Sequence, residues 1–386
     1  MDDLTPFIDL KKQSAALSPD LEKAILAVVE GTQFINGPEV TRLEEALAEY
    51  VGVTHVVTCA NGTDALTLPL LAYDLKQNDA VFCPSFTFIA TAEVVALRGA
   101  TPVFVDVDLK TYNISIDDLV IKFDKIKKEG RYRPRAIIPV DLFGLPANLP
   151  FINQFAKDND LLVIEDAAQG FGGRLNNQKA GSLAPIGATS FFPAKPLGAY
   201  GDGGAIFTND ADLAKTFRSL KNHGSGVRRY EHERIGINSR LDSLQAAVLL
   251  VKLAAFPSEL EARQEVAANY TKRLRDMVQT PFIPPDYYSS WAQYTIRVPA
   301  QSRDQLRRFL SDHGVPTNVY YPLGLHQQEA FTTAKERPLK LAACPVTEAI
   351  SGEVLSLPMH PYLNEATIDR ICSLVIEGLG PGNHHV

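Results

Sequence analysis

With 386 residues, 45% of them hydrophobic and 22% charged, the chain holds enough apolar material for one large folded domain and a smaller one. A formal charge of −7 and an isoelectric point near 5.7 argue against a nucleic-acid partner. The start, Met1-Asp2-Asp3-Leu4-Thr5-Pro6, is neither basic nor apolar, and no segment approaches the ~20 apolar residues of a membrane span. A cytoplasmic protein without membrane contact is expected.

An amphipathic helix follows Ser18-Pro19, an N-cap and first-turn pair, with Leu21, Ile25, Val28 and Val29 on one face. A second follows Gly37-Pro38, with Val40, Leu43, Leu47 and Tyr50 as its stripe and Gly52 closing it. Short apolar runs then alternate with helical stretches. His55–Cys59, Ala80–Cys83, Pro102–Val107, Ala136–Leu142, Leu161–Ile164, Thr189–Phe192 and Ala205–Thr208 read as strands. Many are apolar almost throughout, as strands covered on both faces must be, so the fold class is α/β with a mostly parallel sheet wrapped by helices.

Near Arg240 a long helix begins, with Leu241, Leu244, Val248 and Val251 on its apolar face. After Pro281-Phe282-Ile283-Pro284-Pro285 the texture changes: Tyr294–Val298 reads as a strand and Arg303–His313 as a helix. Residues 1–250 are read as a large domain with an N-terminal helical segment, and 251–386 as a small C-terminal domain. The tail Gly380–Val386 is expected to be disordered. Cys59, Cys83, Cys344 and Cys372 show no CxxC pair and no zinc spacing, so no metal site is expected. Cys59 and Cys83 read as buried thiols of a reducing compartment.

Lys195 stands among Phe191, Phe192, Pro193, Ala194, Pro196 and Leu197, with no other charge from Ala188 to Gly201. Desolvation disfavours the ammonium form and favours the nucleophilic amine that Schiff-base chemistry needs. A lysine whose stem lies on apolar surface while its head reaches water is an equal alternative on these residues alone.

Ligands of open α/β sheets bind beyond the carboxyl ends of strands, and polar residues gather at such ends here. Asn61-Gly62-Thr63-Asp64 opens a helix after a strand, where the amides of Gly62 and Thr63 and the Thr63 hydroxyl would hold a phosphate; a plain capped turn is the simpler reading. Asp166 ends the run Leu161–Glu165, where a buried carboxylate is costly unless it meets a cation: a pyridinium nitrogen, or merely a nearby arginine. Gln169 can bond a ligand oxygen, Ser190 can add a phosphate contact, and Phe88 can stack on a planar ring or simply pack. An amine, an anion and phosphate donors together are what pyridoxal phosphate requires.

Asn61–Leu66, Pro84–Thr91, Glu165–Gln169, Ser190–Gly204, Asn222-His223-Gly224 and Gly236–Asp242 occur in order along nearly the whole chain. In these motifs the chain resembles the DegT/DnrJ/EryC1/StrS family of nucleotide-sugar aminotransferases, whose architecture is that of aspartate aminotransferase (fold type I). The resemblance implies that Lys195 condenses with the aldehyde of pyridoxal phosphate and, once freed, moves the substrate proton. It implies that Asp166 keeps the ring nitrogen protonated, that Phe88 covers the ring, and that Gln169 meets the ring hydroxyl. Gly62, Thr63 and Ser190 would hold the phosphate, with Asn238 reaching the phosphate of a neighbouring subunit in a homodimer. L-glutamate as amino donor is likewise implied by the family alone. Lysine rather than histidine at position 195 argues against the dehydratase activity of one relative.

The strings Pro193–Gly198 and Asp141–Pro146 look most like members that aminate C3 of UDP-2-acetamido-2-deoxy-3-oxo-D-glucuronate for surface-polysaccharide (O-antigen) sugars. Arg228, Arg229, His232, Arg234 and Arg240 offer positive charge. Arg240, two residues past Asn238, is the expected ligand of the sugar carboxylate. Tyr320 and Tyr321 are candidate sugar contacts, although Tyr320 stands where relatives often have histidine. Amination at C4 of a UDP-keto-sugar, amination at C3 or C4 of a dTDP-6-deoxy-keto-sugar, and a non-catalytic cofactor-binding regulator are the alternatives. A dinucleotide loop at Gly201-Asp202-Gly203-Gly204 fails, because Ile206 holds the place of the third glycine and a strand follows.

Overall fold

The computed structural model describes residues 5–228, 230–332 and 343–380; Met1–Leu4, Arg229 of the basic stretch and the tail beyond Gly380 lie outside them. Each of the seven apolar runs falls at least in part in a strand of a single sheet: β1 His55–Cys59, β2 Asp79–Pro84, β3 Thr101–Val105, β4 Arg133–Ile137, β5 Leu162–Asp166, β6 Ile186–Ser190 and β7 Gly204–Thr208. Their order is β1-β7-β6-β5-β4-β2-β3. β7 runs antiparallel to both its neighbours, and the other pairs are parallel. Every residue of β2, β3 and β7 is buried, as a sheet covered by helices on both faces requires.

Two strands sit differently from the sequence expectation, and both shifts bear on the site. The run expected at Thr189–Phe192 is β6, Ile186–Ser190, because Ile186 pairs with both Ile164 and Thr208 while Phe191 leaves the ladder toward the Lys195 loop. β4 ends at Ile137 rather than Leu142, and Leu142–Gly144 instead form a short 3₁₀ turn beside Asp166. At the N-terminus a helix Leu10–Leu17 precedes the expected one, and Pro19 rather than Ser18 takes the capping position of Asp20–Gly31.

The helix begun near Arg240 runs from Ser243 to Leu274, with Asp242 capping it through the Gln245 amide. An 18-residue window of it reaches a mean hydropathy of 1.3, enough by length and composition to cross a membrane, contrary to expectation. Over half of that window is buried, and the helix packs on Pro38–Val51, Asp20–Gly31 and Glu365–Leu379, so it acts as a core helix. Beyond it, β8 Tyr294–Arg297 pairs antiparallel with β9 Val354–Leu357. This pair shares a second core with Tyr270, Leu306, Ile371 and Val375. All four cysteines are buried and free.

Candidate active site

The ends of β1, β6 and β7 make an anion cradle. The strand β1 turns at Asn61 into the helix Gly62–Ala72, and Asn61 accepts the Asp64 amide at 2.8 Å. The amides of Gly62 and Thr63 are left without a partner among the described residues, as first-turn amides are. A Cβ on Gly62 would lie 2.6 Å from Ser190 Cβ, and one on Gly204 would lie 2.4 Å from the Asn61 carbonyl oxygen. Two glycines therefore let the turn pass over β7 and bring Gly62, Thr63 and Ser190 to one point.

Asp166 closes β5, buried, at the next strand end. Its Oδ2 accepts a hydrogen bond from Thr91 Oγ1 at 2.9 Å and its Oδ1 one from the Ala168 amide at 3.2 Å. Burial nonetheless holds its carboxyl above the ordinary value, opposed by those two donors and by Lys195. Gln169, also buried, accepts the Phe143 amide at 2.8 Å and donates to the Tyr321 hydroxyl at 3.1 Å. Phe88 stands on the turn after β2 with 56% of its surface exposed, open to a flat partner.

Lys195 is half-buried on the loop that follows β6. Its amide donates to Phe192 O at 2.8 Å, and its amine makes no hydrogen bond among the described residues. Burial pulls its pKa down, and Asp166 opposes the shift. The loop is held from beneath by Lys252 of the long helix, whose Nζ donates to Gly198 O at 2.7 Å. The structure thus brings Lys195, Asp166, Gln169, Phe88, Gly62, Thr63 and Ser190 to the same edge of the sheet. An unpartnered amine, a buried anion short of a cation and two free amides suit pyridoxal phosphate.

Asn238 is exposed and Arg240 half-buried, and Arg240 has no hydrogen bond or ion pair among the described residues. They follow Ile237, on a strip held to Lys221 through the Ser239 amide. Tyr320 accepts a hydrogen bond from Asn318 at 3.2 Å and packs 6.4 Å from Phe7. Its neighbour Tyr321 reaches Gln169 and packs edge-on against Phe86.

The chain matches the DegT/DnrJ/EryC1/StrS aminotransferase family over residues 16–376. It belongs to that family. This DegT/DnrJ/EryC1/StrS protein is a pyridoxal-phosphate-dependent sugar aminotransferase of the fold-type-I architecture. It is 46% identical to the UDP-2-acetamido-2-deoxy-3-oxo-D-glucuronate aminotransferase of Pseudomonas aeruginosa, across 95% of this chain and 98% of that one. It is 41% identical to the UDP-N-acetyl-3-dehydro-alpha-D-glucosamine 3-aminotransferase of Acidithiobacillus ferrooxidans, across 96% of each. Its fold superposes on the crystal structure of a DegT/DnrJ/EryC1/StrS aminotransferase from Brucella abortus with a TM-score of 0.93 at 50% identity, covering 96% and 98% of the two chains.

Within this family member, sequence reading missed Thr91 and Lys252 as supports of the site. Thr91 closes the Pro84–Thr91 motif, but its contact spans 75 positions and has no local signal. Lys252 has a signal: it is a lone lysine between Leu249-Leu250-Val251 and Leu253-Ala254-Ala255.

Proposed function

We propose that the enzyme moves the amino group of L-glutamate to C3 of UDP-2-acetamido-2-deoxy-3-oxo-D-glucuronate. The observation that carries this reading is the 46% identity over nearly full length to a protein named for that substrate. Arg240 supports it, since a half-buried guanidinium with no partner among the described residues calls for an anion, and its planar fork matches a carboxylate. The relative at 41% identity is named for the sugar without a carboxylate, so the carboxylate is the point to test.

In this reading Gly62 and Thr63 amides and the Ser190 hydroxyl bind the cofactor phosphate, with Asn238 of a second copy completing the cradle. Asp166, whose ionised form Thr91 favours against burial, would hold a proton at the ring nitrogen. Phe88 covers one face of the ring, and Gln169 orients the ring hydroxyl. Pyridoxal phosphate, when bound, supplies the aldehyde that carries the amino group and a ring that delocalises the electron pair left by a lost proton. Lys195 takes the proton from Cα of glutamate and, in the return half-reaction, delivers one to C3 of the sugar. Tyr320 and Tyr321 line the sugar side.

A homodimer is part of the proposal. Val227 and Ile235 are 92% and 91% exposed, and Phe34 and Ile35 are exposed beside Ser243, whose amide bonds Phe34 O. This apolar strip lies along the same stretch as Asn238 and Arg240 and suits burial against a second copy. The remaining parts of the reading are a cytoplasmic location and a division into residues 1–250 and 251–386, with the helix Ser243–Leu274 shared across the boundary.

Coupled assays with glutamate on a panel of UDP- and dTDP-keto-sugars test the substrate. The uronate should be preferred, and Arg240→Lys should erase the preference over the neutral 3-keto sugar. Preference for a 4-keto or dTDP sugar would overturn the reading.

A further inference from the structure

A buried histidine shares a cavity with Lys195. His360 follows β9, is 2% exposed, and neither of its ring nitrogens has a hydrogen-bond partner of good geometry among the described residues, the Pro6 carbonyl being a weak one. It lines a narrow cavity together with Pro193 and Lys195 of the lysine loop and with Asp9, Arg263 and Tyr362. Thr91, Asp166, Gln169, Gly62, Ser190 and Phe88 are not part of that wall.

The space is about 10 Å³, room for one water, and its wall is polar enough to hold it. Unpaired buried ring nitrogens cost free energy, and a bridging water removes that cost. The charged groups around this space are partly paired. Arg263 Nη1 donates to Trp291 O at 3.0 Å; the Tyr362 hydroxyl donates to Glu259 at 2.6 Å, and Gln13 donates to the same carboxylate at 3.0 Å. Lys12 and Asp9 form an ion pair at 3.7 Å. Burial first, then Arg263 and Lys12, push His360 down to about 4, against Asp9 and the Pro6 carbonyl; Asp166 is the charge that faces Lys195. His360 is therefore a neutral ring at working pH, with one acceptor and one donor nitrogen.

We propose that His360 is a positioning residue for Lys195, holding its side chain through one cavity water whenever the amine is not joined to the cofactor. A neutral imidazole accepting through water favours the ammonium form of the freed lysine and fixes the direction of its stem. The inference rests on Lys195 being the cofactor-binding lysine.

The test uses apoprotein of the wild type, His360→Phe and His360→Gln, with pyridoxal phosphate and borohydride trapping as a first step. Failure to trap an adduct on Lys195 of the wild type sinks the underlying reading. With trapping intact, reductive methylation of Lys195 in the apoprotein is followed against pH by mass spectrometry of its peptide, and unchanged thermal melting checks the fold. His360→Phe should lower the apparent pKa of Lys195 by about one unit, roughly a tenfold gain in reactive amine at fixed pH. His360→Gln, still a donor and acceptor, should stay near the wild type. No shift in His360→Phe, or equal shifts in both variants, overturns the inference. Should His360→Phe fail to fold, a crystal structure of the wild type decides: an ordered water between His360 and Lys195 supports it, and a dry cavity overturns it.

Discussion

Thr91 Oγ1 donates a 2.9 Å hydrogen bond to Asp166 Oδ2, joining the helix after β2 to the carboxylate at the end of β5. That bond favours the ionised carboxylate against the burial that raises its pKa. A hydrogen bond to a charged group contributes about 1.5–3 kcal/mol. Thr91→Val should therefore weaken cofactor retention roughly 10- to 100-fold in an absorbance titration, and Thr91→Ser should restore most of it. An unchanged dissociation constant in Thr91→Val would remove Thr91 from the site's support.

Gly62 fits against Ser190 only because it lacks a side chain, with a built Cβ 2.6 Å from Ser190 Cβ. Gly62→Ala should push the helix start off β6 at a cost of about 1–3 kcal/mol. The loss should appear mainly as weaker cofactor binding. The pair Gly62→Ala with Ser190→Gly should recover part of it, measurable as a coupling energy in a double-mutant cycle.

Lys252 reaches Gly198 O at 2.7 Å and lies 4.4 Å from the Tyr200 ring, its pKa pushed down to about 8 by burial. Lys252→Met keeps the bulk and leaves the carbonyl unpaired, at about 1–3 kcal/mol. Faster amide hydrogen exchange across residues 191–200, with Lys195 still trapped by borohydride, is the expected signature. Exchange at the wild-type rate would show that the loop needs no such anchor.

Asp141 and Glu165 are two buried carboxyls side by side behind Asp166. Glu165 accepts amides of Gly181, Leu183 and Ala184, while no donor among the described residues meets Asp141 Oδ2. Burial raises both, Glu165 to about 7, so the folded pair keeps a proton that the unfolded chain releases. The folded state binds more protons, so this contribution to stability is full below the ordinary carboxylate range and is lost as pH rises through about 7. Asp141→Asn, a permanent donor toward Glu165, should flatten the fall in urea stability between pH 5 and pH 8. Equal slopes for the two proteins would rule out a shared proton.

The sequence by itself determined much of this molecule. Most of the apolar runs of the central sheet were legible because a sheet covered on both faces allows no alternation, and Gly52 marks a helix end by local backbone chemistry. Lys195, Asp166 and Gly62 could be picked out as candidates as well, Asp166 and Gly62 by standing at or just after strand ends and Lys195 by its apolar neighbours. The tertiary structure alone decided what surrounds them. It placed Thr91 on Asp166, Lys252 under Gly198, and His360 on a cavity that Lys195 also lines, relationships that cross long stretches of chain and leave no periodic trace. It also ended β6 at Ser190, the last residue laddered to β7, and β4 at Ile137, the last of its continuous ladder with β2 and β5, beyond which only Val140 bridges Asp166. Local sequence sets which backbone groups are exposed; only packing sets which distant side chain arrives to meet them.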